Sequence, residues 1–260
     1  MNETETPNVI PLEDVPISST PSPVVRGWRW ILQHWIISAS LVVVLFIIVE
    51  YFSLPSFSNI EALKRENPRT SAMMDARKRE REHDGKRWRQ EQSWIVLSNV
   101  SSHLIHAVIV AEDGTFYEHE GVDWYEVQES LKKDLRETRF ARGASTITQQ
   151  LAKNLYLSSS KDPLRKLKEF IITKRLEEVL SKDRLMELYL NIIELGEGIF
   201  GIDAAARKFF RKSASELSRD ESIRLAAIIP SPLRHRPTDE STYVRYRSQL
   251  ISKRMESRGW

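Results

Sequence analysis

Residues 143–155 read Gly-Ala-Ser-Thr-Ile-Thr-Gln-Gln-Leu-Ala-Lys-Asn-Leu, and their spacing decides how the chain is built. Wound as a helix, Ile147, Leu151 and Leu155 fall in one stripe at four-residue steps, while Gln149, Gln150, Lys153 and Asn154 fall off it. One face packs and another offers polar groups. Gly143 gives the backbone room for a close approach ahead of the helix, and the hydroxyls of Ser145 and Thr146 with the free amides of the first turn can receive an anion. A plain N-capped amphipathic helix accounts for Ser145 and Lys153. It accounts poorly for the uncharged pair Gln149 and Gln150.

The flanking sequence is helical as well. Leu104, Val108 and Ala111 keep helical spacing, and Asp123 with Glu126 has the form of a capping box opening a helix toward Thr138. Ser218 and Glu221 repeat that device before Ile223, Leu225, Ala226, Ile228 and Ile229, and Pro230 ends the helix. No segment alternates with a period of two, and no internal repeat is visible. The expected architecture is mainly α with at most a small sheet element.

Farther out, residues 1–27 are Pro-, Ser- and acid-rich and read as a disordered cytoplasmic tail. Trp30 to Val49 contains no Asp, Glu, Lys or Arg, and a helix of that length spans roughly 30 Å. Residues 28–52 are therefore expected to form a transmembrane anchor, with Trp28, Trp30 and Trp35 at one interface and Tyr51 and Phe52 at the other. A cleaved signal peptide fits less well, because the apolar run is long and has no small-residue cleavage site. Arg26 and Arg29 before the run are balanced by Lys64, Arg65 and Arg69 after it, so charge does not orient the anchor; a long C-terminal domain translocates largely regardless. Residues 53–92 are charge-dense and read as a membrane-proximal segment, a solvated linker or helix face whose basic residues could also meet anionic headgroups. A catalytic domain is expected over 93–240 and a tail over 241–260.

The whole chain has 260 residues, enough for one compact domain beyond the anchor. Its 39 Lys and Arg exceed its 36 Asp and Glu by three, which favours anionic partners without choosing among nucleic acid, membrane and diphosphate. Without cysteine there is no disulfide, thiolate metal site or thiol nucleophile.

Two further clusters carry chemistry. Ala111, Glu112 and Asp113, followed by Phe116, His119 and Gly121, lie where an apolar helix gives way to a loop, so a carboxylate there is positioned. Arg165, Lys166, Lys168 and Glu169 lie on a helix with the apolar stripe Leu164, Leu167, Ile171 and Leu176. Arg165 and Glu169, four apart, could be a plain surface ion pair. Clustered cations beside a carboxylate also suit a diphosphate leaving group.

These three segments, in this order, resemble the family 51 glycosyltransferases, and in particular the monofunctional biosynthetic peptidoglycan transglycosylases. The likeness continues through Glu177, Ser181, Lys182, Glu187, Tyr189, Leu190 and Asn191, then Gly196, Gly198, Gly201, Ala204 and Ala205, then Leu217, Glu221, Leu225, Ala226 and Pro230. It covers roughly residues 90 to 240, and five ordered blocks are a specific signal. The chain departs from the family's habit at Arg211, where Gly commonly follows an aromatic pair, and at Ser222 and Ile223, where Ala is common.

The resemblance implies a lysozyme-like α+β catalytic domain and a set of roles. Glu112 matches the general base that deprotonates the acceptor hydroxyl. Glu169 matches the second essential carboxylate, organising the diphosphate directly or through a divalent cation, Mg²⁺ or Mn²⁺; no organic cofactor is implied. Lys153, Arg165 and Lys166 would offset charge on the leaving group. Ser145, Thr146, Gln149, Gln150 and Asn154 match positions lining the donor cleft, with Phe116 and His119 shaping the same wall. The implied reaction polymerises glycan strands from lipid II with inversion at the donor anomeric centre, and no transpeptidase domain is expected. Implied partners are lipid II, the growing strand, the bilayer and other cell-wall or division proteins, not nucleic acid. The implied place is the bacterial inner membrane, with the catalytic domain on its outer side.

Two rivals remain at this point: a peptidoglycan-cleaving lysozyme-like hydrolase, which also needs positioned carboxylates, and a non-catalytic basic binding module. Ser158 to Lys161 fits a Ser-x-x-Lys pattern but lacks partner motifs, and His103 and His106 read as ordinary helix residues rather than metal ligands.

Overall fold

The structure, a computed structural model, describes residues 23–137, 145–157 and 164–260. It divides into two compact units, Met1–Ser53 and Leu54–Trp260. In the first unit α1 (Pro23–Phe52) is one continuous helix of 30 residues, about 45 Å long at helical rise. It contains an 18-residue window of mean hydropathy 2.4, none of it buried, and is long and apolar enough to cross a membrane. The expected tail falls mostly in residues 1–22, outside the described part.

The second unit is mostly helical, with a small sheet, as the spacing leads one to expect. Its centre is α8 (Lys182–Ile192), started by the Ser181 side chain accepting from Arg184 N and buried at Leu185, Met186, Leu188, Tyr189, Leu190 and Ile192. Against it lies α6 (Ile147–Tyr156), which also packs on α7 (Arg165–Val179). On the other side of the core α4 (Ser102–Glu112) packs on α10 (Arg219–Ile228) and α11 (Thr242–Glu256). The sheet has the order β1-β3-β2: β1 (Glu91–Gln92) runs parallel to β3 (Ile199–Phe200), and β2 (Glu194–Gly196) antiparallel to it. Fully buried Asn191 ties sheet to helix, its amide accepting from Ile95 N and donating to the carbonyls of Ile95 and Glu187. The Ser218–Glu221 capping box forms on α10. At α5 (Trp124–Glu137), Asp123 accepts from the Glu126 amide.

Two expected boundaries are corrected. The charge-dense stretch 53–92 is not a solvated linker: from Leu54 on it belongs to the folded unit. There α2 (Phe57–Ala62) packs on α7 and α3 (Ala72–His83) packs on α6, burying Leu54, Ile60, Leu63 and Met74. Two of its arginines reach the β2–β3 region, Arg77 to Glu194 at 2.8 Å and Arg81 to Glu197, while Arg79 and Arg89 stay exposed as a solvated face. Residues 241–260 are not a tail either. They form α11, with Val244, Ile251 and Met255 buried at helical spacing.

Two of the three departures from the family's usual residues, Arg211 and Ser222, have a physical address. Arg211 is the C-cap of α9 (Ile202–Phe210) with φ 60°, the left-handed region where glycine carries no Cβ penalty. Ser222 is fully buried and its hydroxyl has no hydrogen-bond partner among the described residues. Arg211→Gly and Ser222→Ala are therefore each expected to stabilise the fold by about 1 kcal/mol. Urea unfolding of the single variants measures this, and a fall in stability for either would refute the account of that residue.

Candidate active site

The site starts where α4 stops. Asp113, the residue after α4, is buried and sends its carboxylate to the first turn of α6, accepting from Ile147 N at 3.0 Å. His119 completes the arrangement. Its Nδ1 accepts from Gly121 N at 3.0 Å, so the ring proton sits on Nε2, which donates to Asp113 at 2.9 Å. Thr146 caps α6 by accepting from Gln149 N, Gln149 Oε1 accepts from Thr146 N, and the Thr146 hydroxyl donates to the Gly121 carbonyl at 2.6 Å. Two of the amides read as a receptor for a substrate anion are thus engaged inside the protein, Ile147 N by the Asp113 carboxylate and Gln149 N by the Thr146 hydroxyl. Gly143 and Ala144 lie outside the described residues.

This junction fixes Glu112, the last residue of α4, whose side chain is 9% exposed. Its Oε2 accepts from Gln150 Nε2 at 2.9 Å, and its Oε1 lies 3.5 Å from an Arg247 nitrogen. An ionised carboxylate can only accept, so Gln150 must present its NH₂ to Glu112 and turn its oxygen to Tyr189, whose hydroxyl donates at 3.0 Å. Burial holds the Tyr189 hydroxyl well above its ordinary pKa, which keeps it a donor. Burial also raises the Glu112 carboxyl above the usual carboxylate range; the Gln150 hydrogen bond and the charges of Arg247 and Lys153 work against that rise, and Asp113 adds to it.

Lys153 is half-buried one turn beyond Gln149 on α6, and burial lowers its ammonium below the ordinary lysine range. The charge of Glu169 opposes that fall, and that of Glu112 does so more weakly. Arg165 and Lys166, in the first turn of α7, are near enough to depress it further. Glu169 is buried and ion-paired with Lys166, which also reaches the Ser145 hydroxyl at 3.3 Å. A hollow of about 530 Å³ opens beside Glu112, lined among others by Thr115, Ser145, Thr146, Arg247 and Arg254.

Glu112 contacts Gln150, Lys166 joins Ser145 to Glu169, and Lys153 lies within electrostatic reach of both carboxylates and of Arg165 and Lys166. The other expected residues do something else. Phe116 is fully buried with Lys182 over its ring at 4.7 Å, so it is core and cannot wall a cleft. Gln149 is consumed by the cap and His119 by Asp113, while Asn154 is buried in the body of α6. Thr146 lines the hollow, but both roles of its hydroxyl are taken inside the protein.

Asp113, Tyr189 and Arg247 were not expected at the site. The first two stood inside recognisable segments without a role; Arg247 lies 135 residues from Glu112, and only the α11 apolar spacing could have hinted at it. Among the described residues no group of three or more His, Cys, Asp or Glu could hold a metal ion. Glu169, the one carboxylate assigned to a divalent cation, has its Oε1 engaged by Lys166. His106 stacks on Trp260, consistent with an ordinary helix residue. Ser158 to Lys161 fall outside the described residues.

Comparison with known proteins adds an independent line. The family model described as Transglycosylase matches residues 80–256, which includes α11. A biosynthetic peptidoglycan transglycosylase of Nitrosospira multiformis is 40% identical over 229 residues, covering 88% of this chain and 96% of that protein. A protein of the same description from Thiobacillus denitrificans is 37% identical over 233 residues, again covering 88% and 96%. Another from Aromatoleum aromaticum is 46% identical over 169 residues, covering 65% and 74%.

Proposed function

We propose, from the premise that this chain belongs to the transglycosylase family and is a peptidoglycan glycosyltransferase, that it polymerises glycan strands from lipid II. In this reading Glu112 removes the proton from the acceptor sugar hydroxyl as that oxygen attacks the donor anomeric carbon. The bond to the lipid diphosphate breaks, with inversion. Lys153, Arg165 and Lys166 meet the negative charge that grows on the leaving diphosphate, a preorganised stabilisation in a partly desolvated groove. Glu169 holds Lys166 in place for that task.

The observation that carries the reading is the buried, hydrogen-bonded Glu112 beside an open hollow, with the cations Lys153, Arg165 and Lys166 on the adjoining helices α6 and α7. A base beside a cation-lined pocket suits attack on a sugar that leaves a diphosphate behind. A hydrolase of finished strands departs from a neutral alcohol and has no use for those cations. The membrane span α1 fits a substrate whose lipid tail never leaves the bilayer. We place the chain in the bacterial inner membrane, with its catalytic unit on the outer side, where the strand is built and cell-wall synthesis or division proteins are within reach.

The test is direct. Purified full-length protein is given lipid II in one reaction and finished sacculi in another. Polymer from the first and no fragments from the second is the expected result. Fragments from sacculi without polymer would replace this reading with hydrolysis.

A further inference from the structure

Two arginines of α11 and one just beyond its end form a row beside its buried face. Val244, Ile251 and Met255 pack into the core, and the positions three residues on from each are Arg247, Arg254 and Arg258, the adjacent row. All three converge on a five-residue stretch centred on Glu112. Arg254 donates to the Val110 carbonyl at 3.0 Å and Arg258 to the Gly114 carbonyl at 2.6 Å, while Arg247 approaches the Glu112 carboxylate itself. Carbonyls at the end of a helix have no partner within it, and cations are favoured there, so α11 both satisfies and charges the end of α4.

We infer that this arginine row is the device that holds the catalytic carboxylate in place, and that Arg247 is a positioning residue for the transfer step. The inference rests on Glu112 being the base. One carboxylate oxygen is fixed by the neutral Gln150 amide from α6; the other faces Arg247 from α11. At 3.5 Å the second contact is long, and Arg247 Nε is buried with no hydrogen-bond partner among the described residues. The guanidinium therefore steers Oε1 without locking it in a bidentate pair, leaving that oxygen able to turn to a hydroxyl proton.

The groups facing Glu112 are Asp113 on its own loop, Gln150 and Lys153 on α6, Tyr189 on α8 and Arg247 on α11. Of the two cations, Lys153 is shared with Glu169, whereas Arg247 makes its ion pair with Glu112. Removing Arg247 thus removes the charge that most directly opposes the effect of burial on the base.

The experiment compares full-length wild type with Arg247→Gln, Arg247→Lys, Arg254→Gln and Glu112→Gln, measuring lipid II polymerisation from acid to alkaline pH. Arg247→Gln is expected to lower kcat by roughly tenfold to a hundredfold with KM little changed, and to move the acidic limb of the profile to higher pH. Arg247→Lys keeps the charge and should hold that limb near its wild-type position. Arg254→Gln, which loosens the carbonyl brace alone, should lower kcat without moving the limb, and it keeps the proposal testable if Arg247→Gln does not fold. An Arg247→Gln enzyme with an unmoved acidic limb, or an Arg254→Gln enzyme with wild-type kcat, would overturn the proposal. A fully active Glu112→Gln enzyme would sink the assignment of the base instead, so the two failures are distinguishable.

Discussion

Glu112→Gln is expected to lower polymerisation by about 10²- to 10⁴-fold, the range a positioned general base contributes, while the protein stays folded. The substitution is nearly isosteric. The new amide oxygen can accept from Gln150 as the carboxylate did, so the Tyr189–Gln150 chain persists, but nothing remains to take a proton at Oε1.

The stability consequence has a definite sign. Burial raises the Glu112 carboxyl, so the native site binds its proton more tightly than the unfolded chain does. Its contribution is most favourable below the unfolded pKa and is lost as pH rises through the folded one. At neutral pH the ionised side chain is a cost carried for catalysis, and removing it should leave the melting temperature equal to or above that of wild type. Parallel polymerisation and thermal-unfolding measurements settle the matter. An inactive variant that has also lost its cooperative transition would show that Glu112 acts as a support of the fold and not as a base.

The contrast between what the sequence made legible and what it hid follows from where each polar side chain finds its partner. The α6 stripe of Ile147, Leu151 and Leu155 is buried as its spacing requires, because periodicity reports burial. The polar face of α6 was readable only as polar. In the structure Gln149 closes the helix cap while its neighbour Gln150 holds the carboxylate, a division of labour set by contacts that no spacing encodes. Phe116 was assigned to a cleft wall through the family resemblance alone, yet a ring of that size is strongly drawn into the core. Arg77 and Arg81 of α3 resembled solvated charge because Glu194 and Glu197 lie more than a hundred residues away. Arg247 was invisible for the same reason, and its tail-like context reinforced the error.

The second large effect is expected at Lys153. Lys153→Met keeps the length and apolar contacts of the stem and removes only the charge, and kcat should fall by about 10²- to 10³-fold, the loss typical of one preorganised electrostatic donor. The pH profile tells this apart from a packing defect. Burial lowers the lysine, Glu169 and Glu112 oppose that, and Arg165 with Lys166 reinforce it. The base is moved upward and the cation downward, so the active window, which needs Glu112 ionised and Lys153 protonated, is narrower than ordinary Glu and Lys side chains would give. A bound diphosphate brings negative charge to Lys153 and restores its affinity for the proton. The alkaline limb of kcat should then lie at higher pH than that of kcat/KM, and in Lys153→Met the limb should vanish while the acidic one remains. If the variant instead keeps its alkaline limb at reduced rate, the ammonium does not titrate in the rate-determining process, and the charge on the departing diphosphate must be met by Arg165 and Lys166 alone.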